Sequence, residues 1–376
     1  MKIAVLTYYY NSVNYGGVLQ SYALCETLKK MGASCEQIQY DTAPYIQNTI
    51  NIKKGFIQYI LKECYSKVSA YYFRKRYHKF KLFRDKISHS KVVYSDYNIS
   101  DSQSIYDLFI VGSDQVWNPD WYRPAFFLDF IQNPNKKISY AASIAKDRLT
   151  DEQIELFRDK LNKFSAISVR EDEAEKLLSR ILNINIETVL DPTLLLNRTD
   201  WDKVCSKRLI KEPYVYSHFI GDDPEERAIA YEFAKKENIK LVTLKHPSRF
   251  NRHDFLIDGY GLINVGPEDF ISLIKHAELI FTDSFHCCAI SSIYHKQFWA
   301  FQRLGKHDMA SRIYTLLRYY NAIDHFCDNT FKYNYDYIKT ARPIDYSNGE
   351  CLEKMKERSI SFLHKSIILN SWNSTQ

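Results

Sequence analysis

The sequence from Glu278 to Phe301, ELIFTDSFHCCAISSIYHKQFWAF, predicts a buried strand, a polar turn and a helix. Leu279–Phe281 is an apolar run of strand length, and Thr282–Ser284 contains the residue types that end strands and cap helices. His286 falls in the first helical turn, where free backbone N–H groups and the helix dipole favour a bound anion. This position suits a histidine that faces a phosphate or carboxylate. The alternative is a histidine packed under a loop.

The N-terminus begins with a similar unit. Lys2–Thr7 predicts a buried strand, Val18–Lys30 an amphipathic helix and Ser34–Tyr40 a second strand. Gly16 and Gly17 precede the helix and let the backbone approach a ligand there, as in doubly wound folds. Neither a GxGxxG nor a GxxxxGK[ST] motif is present, so the sequence supports no dinucleotide fingerprint and no P-loop.

Two successive series of strands predict an α/β protein with two doubly wound, Rossmann-like domains. In the first series, four more strands end in polar residues, at 108–111, 137–145, 165–170 and 187–190. The second series comprises strands at 214–220, 240–244, 279–281 and 298–301. The polar stretch Asn197–Pro213 holds no predicted strand, so we expect domains at 1–197 and 198–376. The C-terminal helix could pack back on the first domain.

The composition excludes several classes of protein. The net charge of +6 over 376 residues is too weak to indicate nucleic-acid binding, whereas an anionic small substrate or membrane surface fits. Eight cysteines show no zinc-binding spacing and predict reduced thiols in the cytoplasm. No signal peptide or membrane span is apparent. Asp200-Trp201-Asp202 resembles a metal-binding DxD but follows Thr199, so we interpret it as helix capping.

A basic helical insert is predicted over about residues 45–100. Within it, YYFRKRYHKFKLFRDK at Tyr71–Lys86 alternates aromatic and cationic residues. One interpretation is a solvated helix with an aromatic inner face. The other is a patch that rests on anionic lipid at the inner face of the membrane, or on a lipid-linked substrate. Arg74, Lys75 and Arg76 would then carry the contact.

Seven motifs in order along the chain resemble those of the polysaccharide pyruvyl transferase family. They are NYGGVLQSYAL (Asn14–Leu24), DLFIVGSDQVWN (Asp107–Asn118), SYAASIA (Ser139–Ala145), ISVRE (Ile167–Glu171), LDPTLLL (Leu190–Leu196), TDSFHCCAIS (Thr282–Ser291) and SRIYTLL (Ser311–Leu317). The resemblance implies a two-domain fold similar to GT-B glycosyltransferases, with the active site in the interdomain cleft. It further implies phosphoenolpyruvate as the donor and a pair of sugar hydroxyls as the acceptor.

The resemblance also assigns site residues. His286 matches the family's acid/base histidine, Arg170 an arginine that holds the donor, and Ser143 a segment facing the cleft. Many members have Arg-Leu-His where this chain has Ser284-Phe285-His286, so one donor-binding cation is missing; Lys245, Arg312 and Lys296 are candidate replacements. The predicted donor site comprises Ser143, Arg170, Lys245, Ser284, Phe285, His286 and Arg312. The predicted acceptor site comprises Asn14, Tyr15, Gly16, Gly17, Ser113, Asp114, Gln115 and Trp117.

The predicted function is a cytoplasmic pyruvyltransferase that forms a ketal on a sugar of a capsule, exopolysaccharide or wall-polymer precursor. His286 would move the proton, with Asp114 as a partner base, and neither a cofactor nor a metal is expected. The acceptor is expected to be a saccharide or lipid-linked saccharide. Two alternatives stay open: a GT-B-like glycosyltransferase using a nucleotide sugar, and a non-catalytic protein of carbohydrate assembly.

Overall fold

The structure is a computed structural model of the chain. It describes residues 1–42, 71, 73–146, 148–246, 253–256, 259–303, 311–328 and 333–373. The first part of the predicted insert, residues 45–70, and residue 72 lie outside these ranges.

The first half of the chain builds a parallel sheet with the strand order β3-β2-β1-β4-β5. Its strands are β1 Lys2–Leu6, β2 Ser34–Tyr40, β3 His89–Tyr94, β4 Leu108–Val111 and β5 Lys137–Ser139. Two short strands, β6 Ser168–Val169 and β7 Glu187–Thr188, pair in parallel with each other. Isolated bridges from Ile138 to Ala166 and from Ala142 to Val169 extend the sheet beyond β5.

Within the described residues of this half, four α-helices accompany the sheet. They are α1 Tyr15–Lys30, α2 73–84, α3 Asp151–Leu161 and α4 Asp172–Leu182. Helix α1 begins where the Asn14 side chain accepts a hydrogen bond from the Gly17 N–H, and α3 begins at a capping box formed by Thr150 and Gln153. The strand β3 corrects the prediction of a helical insert, because His89–Tyr94 pairs with β2 at the edge of the sheet. Its three consecutive exposed residues lack the alternation that marks a half-buried strand.

The second half repeats this arrangement. Its parallel sheet has the order β10-β9-β8-β11-β12-β13. The strands are β8 Tyr214–His218, β9 Lys240–Leu244, β10 Tyr260–Leu262, β11 Leu279–Thr282, β12 Phe298–Phe301 and β13 Phe326–Cys327. The helices are α5 Arg198–Asp202, α6 Pro224–Lys236, α7 His253–Leu256, α8 Pro267–His276, α9 Phe285–Ile293, α10 Ser311–Arg318, α11 Tyr335–Thr340 and α12 Glu350–Asn373. In each sheet the strand order changes direction beside the first strand: β1 lies between β2 and β4, and β8 lies between β9 and β11. Such a reversal of strand order is the switch point of a Rossmann-like fold.

The start of α5 explains the apparent DxD. The Asp200 N–H donates to the Asn197 side chain at 3.0 Å, and the Asn197 N–H donates back to the Asp200 carboxylate at 3.2 Å. Asp202 accepts a hydrogen bond from Tyr294 and pairs with Lys275. These carboxylates therefore serve the helix terminus and its contacts, in agreement with the interpretation as capping.

Helix α2 connects the two halves. Phe73, Phe80 and Phe83 form its buried face. Arg76 is fully buried, and its guanidinium donates to the backbone carbonyls of His246 at 2.9 Å and Lys245 at 3.2 Å. The prediction that Arg76 is a surface cation is therefore wrong, because its position on the helix turns it with the phenylalanines toward the second half.

The last helix returns to the first half. In α12, the Ser359 hydroxyl accepts a hydrogen bond from the Leu190 N–H at 2.9 Å, and Arg358 pairs with Glu187 at 3.1 Å. The Phe362 ring lies 6.4 Å from that of Tyr140. The chain thus crosses between the halves twice, and a domain boundary at 197/198 stays a prediction. No helix among the described residues combines the length and the apolar character needed to cross a bilayer.

Candidate active site

A cleft of about 1050 Å³ lies at the carboxyl ends of the strands, between the two sheets. Segments following β1, β4, β8, β9, β11 and β12 all contribute to it, as expected where ligands bind in open α/β sheets. Seven predicted site residues line it: Asn14, Asp114, Gln115, Ser284, Phe285, His286 and Arg312. Further lining residues include Tyr8, Trp121, Tyr122, Arg123, His246 and Arg303.

His286 lies at the start of α9 between two residues of the first half. Its Nε2 is 3.6 Å from the Asp191 carboxylate, just beyond hydrogen-bonding distance, and makes no hydrogen bond within the described residues. On the other side, the ring lies against the Cα of Gly16: an ideal Cβ there would stand 2.1 Å from Nδ1. Gly16 is thus required for the imidazole to occupy this place, and Asp191 faces its Nε2.

Asp191 is the centre of a buried polar network. Its carboxylate accepts hydrogen bonds from Arg170 at 2.7 Å, from the Ser113 hydroxyl at 2.8 Å, and from the N–H and hydroxyl of Thr193. Although burial raises the pKa of Asp191, positive charge on His286 and Arg170 holds this pKa well below its usual range. Asp191 therefore remains an anion that can orient His286 and stabilise its protonated form.

Arg170 lies behind this carboxylate rather than in the wall of the cleft. Besides Asp191, its guanidinium contacts Ser113 and Glu171, each at 3.3 Å. Burial lowers the pKa of Arg170, but the carboxylates of Glu171, Asp191 and Asp114 more than offset this effect and raise it above its usual value. The Nη2 atom is buried without a hydrogen bond in the described structure and lies 4.0 Å from Asp114.

The Phe285 ring stands between two guanidinium groups. The Cζ atoms of Arg170 and Arg312 lie 5.7 Å and 5.5 Å from its centroid. Burial, together with the nearby charge of Arg170, lowers the pKa of Arg312 to about 10. Glu171 is 3.8 Å from the Arg312 guanidinium. Since a buried cation next to another cation is unfavourable, this part of the cleft favours an anionic ligand.

Arg303 is a lining cation that sequence reasoning missed. It follows β12, and its guanidinium donates to the Asp283 carboxylate at 3.1 Å and to the Asp283 carbonyl at 3.0 Å. The same carboxylate accepts hydrogen bonds from the N–H groups of Ile220 and Gly221. Asp283 therefore ties the end of β8 to Arg303 and fixes the position of that guanidinium in the wall.

Asp114 follows β4 in the first half and lines the cleft. Its φ of 78° is in the left-handed region, which is unusual for a residue other than glycine and is common near functional sites. The Asp114 carboxylate accepts a hydrogen bond from the Gln115 N–H at 2.9 Å, while its carbonyl accepts one from Ser143. The tight turn after β4 thus directs Asp114 and Gln115 to the cleft, as predicted for a strand end.

Several predicted site residues lie outside the lining. Trp117 is enclosed in the core, where its ring stacks on Phe127 and its N–H donates to the Phe126 carbonyl, so the predicted contact with the acceptor is wrong. Tyr15 is likewise buried, with its ring 4.6 Å from Phe270 and its hydroxyl donating to the Val265 carbonyl. Tyr15 and Trp117 are close in sequence to residues that line the cleft, but their own side chains point into the core.

Three further predicted residues support the site from behind. The Ser143 hydroxyl donates to Glu171 at 2.6 Å, and Ser113 donates to Asp191. Gly17 allows close packing, because a Cβ there would stand 2.6 Å from the Tyr8 carbonyl. Ser143 therefore lies outside the lining of the cleft, and its hydroxyl holds the Glu171 carboxylate.

Two candidate cations lie elsewhere. The Lys245 side chain crosses Gly261, where an added Cβ would stand 2.4 Å from its Cε, and it does not line the cleft. Lys296 also lies outside the lining, and its carbonyl accepts a hydrogen bond from the Tyr346 hydroxyl. Of the three candidates, the structure places only Arg312 in the cleft. Among the described residues, no group of three or more His, Cys, Asp or Glu side chains could hold a metal ion.

Three solved structures illustrate the similarity of fold. UDP-N-acetylglucosamine 2-epimerase from Rickettsia bellii superposes with a TM-score of 0.50 at 11% identity, over 98% of this chain and 97% of that chain. The corresponding values for UDP-GlcNAc 2-epimerase from Methanocaldococcus jannaschii are 0.49, 14%, 97% and 100%. Those for Anabaena HepE, solved with UDP and glucose, are 0.49, 10%, 100% and 100%. The likeness to the first shows the fold alone: two Rossmann-like domains arranged as in GT-B proteins.

The sequence comparisons are more specific. No protein of curated function matches this chain. The model of the family described as polysaccharide pyruvyl transferase matches residues 14–303, which include α1, the strands from β2 to β12, His286 and Arg303. The match covers most of the chain and contains many of the residues that line the cleft, although Tyr8 and Arg312 lie outside it. The chain therefore belongs to the polysaccharide pyruvyl transferase family.

Proposed function

We propose that this chain transfers the pyruvyl group of phosphoenolpyruvate to two hydroxyls of a saccharide, forming a pyruvate ketal. The saccharide belongs to a precursor of a capsule, exopolysaccharide or wall polymer, and the reaction takes place in the cytoplasm. The observation that carries the proposal is the position of His286 at the N-terminus of α9, against the Asp191 carboxylate and in the same cleft as Arg303 and Arg312.

The reaction requires a proton on the methylene carbon of phosphoenolpyruvate, which leaves positive charge on the neighbouring carbon. One sugar oxygen attacks that carbon, the bond to the phosphate oxygen breaks, and the second sugar oxygen bonds in its place. One donor and one diol thus give one ketal and one inorganic phosphate. One of the two hydroxyl protons is balanced by the proton added to form the new methyl group, and the other leaves on the phosphate.

His286 is the group suited to move these protons, because an imidazole can both accept and donate a proton. With Nε2 facing Asp191, Nδ1 is the nitrogen left for the substrate. Gly16 keeps that side of the ring free of a side chain. Asp191 would stabilise the imidazolium that forms when His286 takes a hydroxyl proton. Asp114, which lines the same cleft, would orient the second hydroxyl or accept its proton.

The donor's phosphate and carboxylate would lie at the N-terminus of α9. Ser284 makes no side-chain cap hydrogen bond there, so backbone N–H groups of the first turn remain suited to an anion. Arg312 and Arg303 would add the charge missing at Ser284, and guanidinium groups match carboxylate and phosphate geometry. In this proposal Arg170 acts through its contacts with Asp191 and Phe285.

A thermal-shift titration tests the proposal without knowledge of the acceptor. Wild type, His286→Ala and the exposed control His364→Ala are titrated with phosphoenolpyruvate and, separately, with UDP and GDP sugars. A ligand at 100 times its dissociation constant stabilises by about 2.7 kcal/mol, which is readily measured. We expect stabilisation by phosphoenolpyruvate in wild type and control, and a smaller shift in His286→Ala. Stabilisation by a nucleotide sugar alone would replace the proposal with glycosyl transfer.

A further inference from the structure

One wall of the cleft carries an exposed tryptophan. Trp121 is 52% exposed, whereas Trp117, Trp201 and Trp299 are each at most 1% exposed. An indole has a large apolar surface, and burying this surface away from water is favourable. An indole exposed at the edge of a cleft therefore lacks this stabilisation. Such a side chain is expected to be covered when the site is occupied. Trp121 is not part of the machinery proposed for the donor.

The turn that presents Trp121 is firmly held. The Asn118 side chain accepts a hydrogen bond from the Asp120 N–H at 3.0 Å, and the Asn118 carbonyl accepts one from the Trp121 N–H at 3.0 Å. Asp120 also pairs with Lys146 at 2.5 Å. The Tyr8 hydroxyl donates to the Trp121 carbonyl at 3.4 Å. The indole is therefore presented by an ordered backbone, as binding without a large ordering cost requires.

Aromatic and carboxylate groups line the cleft together with the indole. Tyr8 and Tyr122 line the cleft with Trp121, and Asp114, Gln115 and Asp120 line it beside them. A pyranose ring offers an apolar face of C–H groups and a rim of hydroxyls. Aromatic rings suit the first, while carboxylate and amide oxygens accept hydrogen bonds from the second.

We infer that Trp121, with Tyr8 and Tyr122, forms a stacking platform for the acceptor pyranose, whose hydroxyls are held by Asp114 and Asp120. This inference rests on the proposed function, because it places the acceptor against residues of the first half, whereas the proposed donor arginines belong to the second half. A nucleobase could also stack on an indole. The oxygens of Asp114, Gln115 and Asp120 favour a sugar instead, because they are acceptors for the hydroxyl donors on its rim.

Saturation-transfer NMR provides the test, because it detects weak binding by free ligands. The probes are methyl hexopyranosides of gluco, galacto and manno configuration, with uridine as the nucleoside comparison, all in the presence of phosphoenolpyruvate. The proteins are wild type, Trp121→Ala, Trp121→Phe and Tyr97→Ala, which removes an exposed aromatic ring outside the lining. We expect saturation of ring C–H protons in at least one hexoside, reduced at least about fivefold in Trp121→Ala and largely retained in the other two variants.

Transfer to hexosides that is unchanged in Trp121→Ala, or absent in wild type, would overturn the platform. Trp121-dependent transfer to uridine instead of a hexoside would identify a nucleobase site and overturn it as well. The phosphoenolpyruvate thermal shift, measured on the same samples, separates the two proposals. If that shift is present and hexoside transfer is absent, the platform alone fails; if hexosides bind but phosphoenolpyruvate does not stabilise, the proposed donor fails.

Discussion

Gly16 of α1 and His286 of α9 are in direct contact across the two halves of the protein. A Cβ at position 16 would stand 2.1 Å from Nδ1 and 2.4 Å from Cε1 of the imidazole. No real side chain tolerates such a distance, so the first half determines where the ring of His286 can lie. The proposed acid/base group is thus positioned by residues more than 250 positions away in the sequence.

Gly16→Ala is therefore expected to displace the imidazole. A displacement of about 1 Å can lower the rate about 100-fold, and overpacking costs about 1–3 kcal/mol of stability. Phosphate release from phosphoenolpyruvate with a saccharide acceptor, together with the melting temperature, measures both effects. Gly349→Ala is the control, because a Cβ there meets its nearest atoms at 3.4 Å. Wild-type activity in Gly16→Ala would show that the position of His286 is not critical.

Asp191→Asn is expected to destabilise the protein by about 3–5 kcal/mol, since it leaves the buried charge of Arg170 without its closest counter-ion. The pKa of Asp191 is depressed in the folded state. Its anion therefore stabilises the fold above the ordinary carboxyl pKa of about 3.9, and this contribution is lost as the pH falls toward the depressed value.

Melting temperatures from pH 7 down to pH 3 test this linkage. The gap between wild type and Asp191→Asn should be constant near neutrality and shrink below about pH 4. Asp159→Asn, which alters a surface carboxylate paired with lysines, should show little difference throughout. A gap that persists unchanged at pH 3 would mean that the charge of Asp191 does not support the fold.

Arg312→Met should weaken phosphoenolpyruvate binding at least about tenfold, because a hydrogen bond to a charged group contributes about 1.5–3 kcal/mol. The expected change in the unliganded protein is small, since burial of this guanidinium beside Arg170 is itself unfavourable. Arg318→Met is the matched control: it lies on the same helix, more than half exposed and paired with Asp172. Equal affinities for the donor in both variants would remove Arg312 from the donor site.

The membrane prediction now concerns Arg74 and Lys75, which are exposed on α2, and no longer Arg76. If α2 contacts anionic lipid, each cation contributes about 1 kcal/mol. Replacing both with glutamine should then lower vesicle binding about 30-fold in a sedimentation assay at low salt. The control replaces Lys235 and Lys236 of α6. Equal sedimentation of the two double variants would refute contact through α2.

Local patterns in the sequence were sufficient for much of the fold. The apolar runs, polar strand ends and capping residues predicted both Rossmann-like series, and the ordered motifs indicated the family that the sequence comparison shows. The prediction failed at β3, whose three consecutive exposed residues show no alternation. It also failed for Trp117, because a turn after a strand can direct a tryptophan either into the core or, as for Trp121, into the cleft.

By itself, the sequence determined which segments are strands and helices and that His286 begins a helix after a buried strand, because these properties depend on neighbouring residues. Only the tertiary structure decided which side chains meet. Asp191 lies in the LDPTLLL motif. Its contacts with Arg170 and His286 exist because the segments that follow β4, β6, β7 and β11 converge at the carboxyl ends of the strands. Convergence of distant segments depends on the packing of the whole chain, which no local pattern encodes.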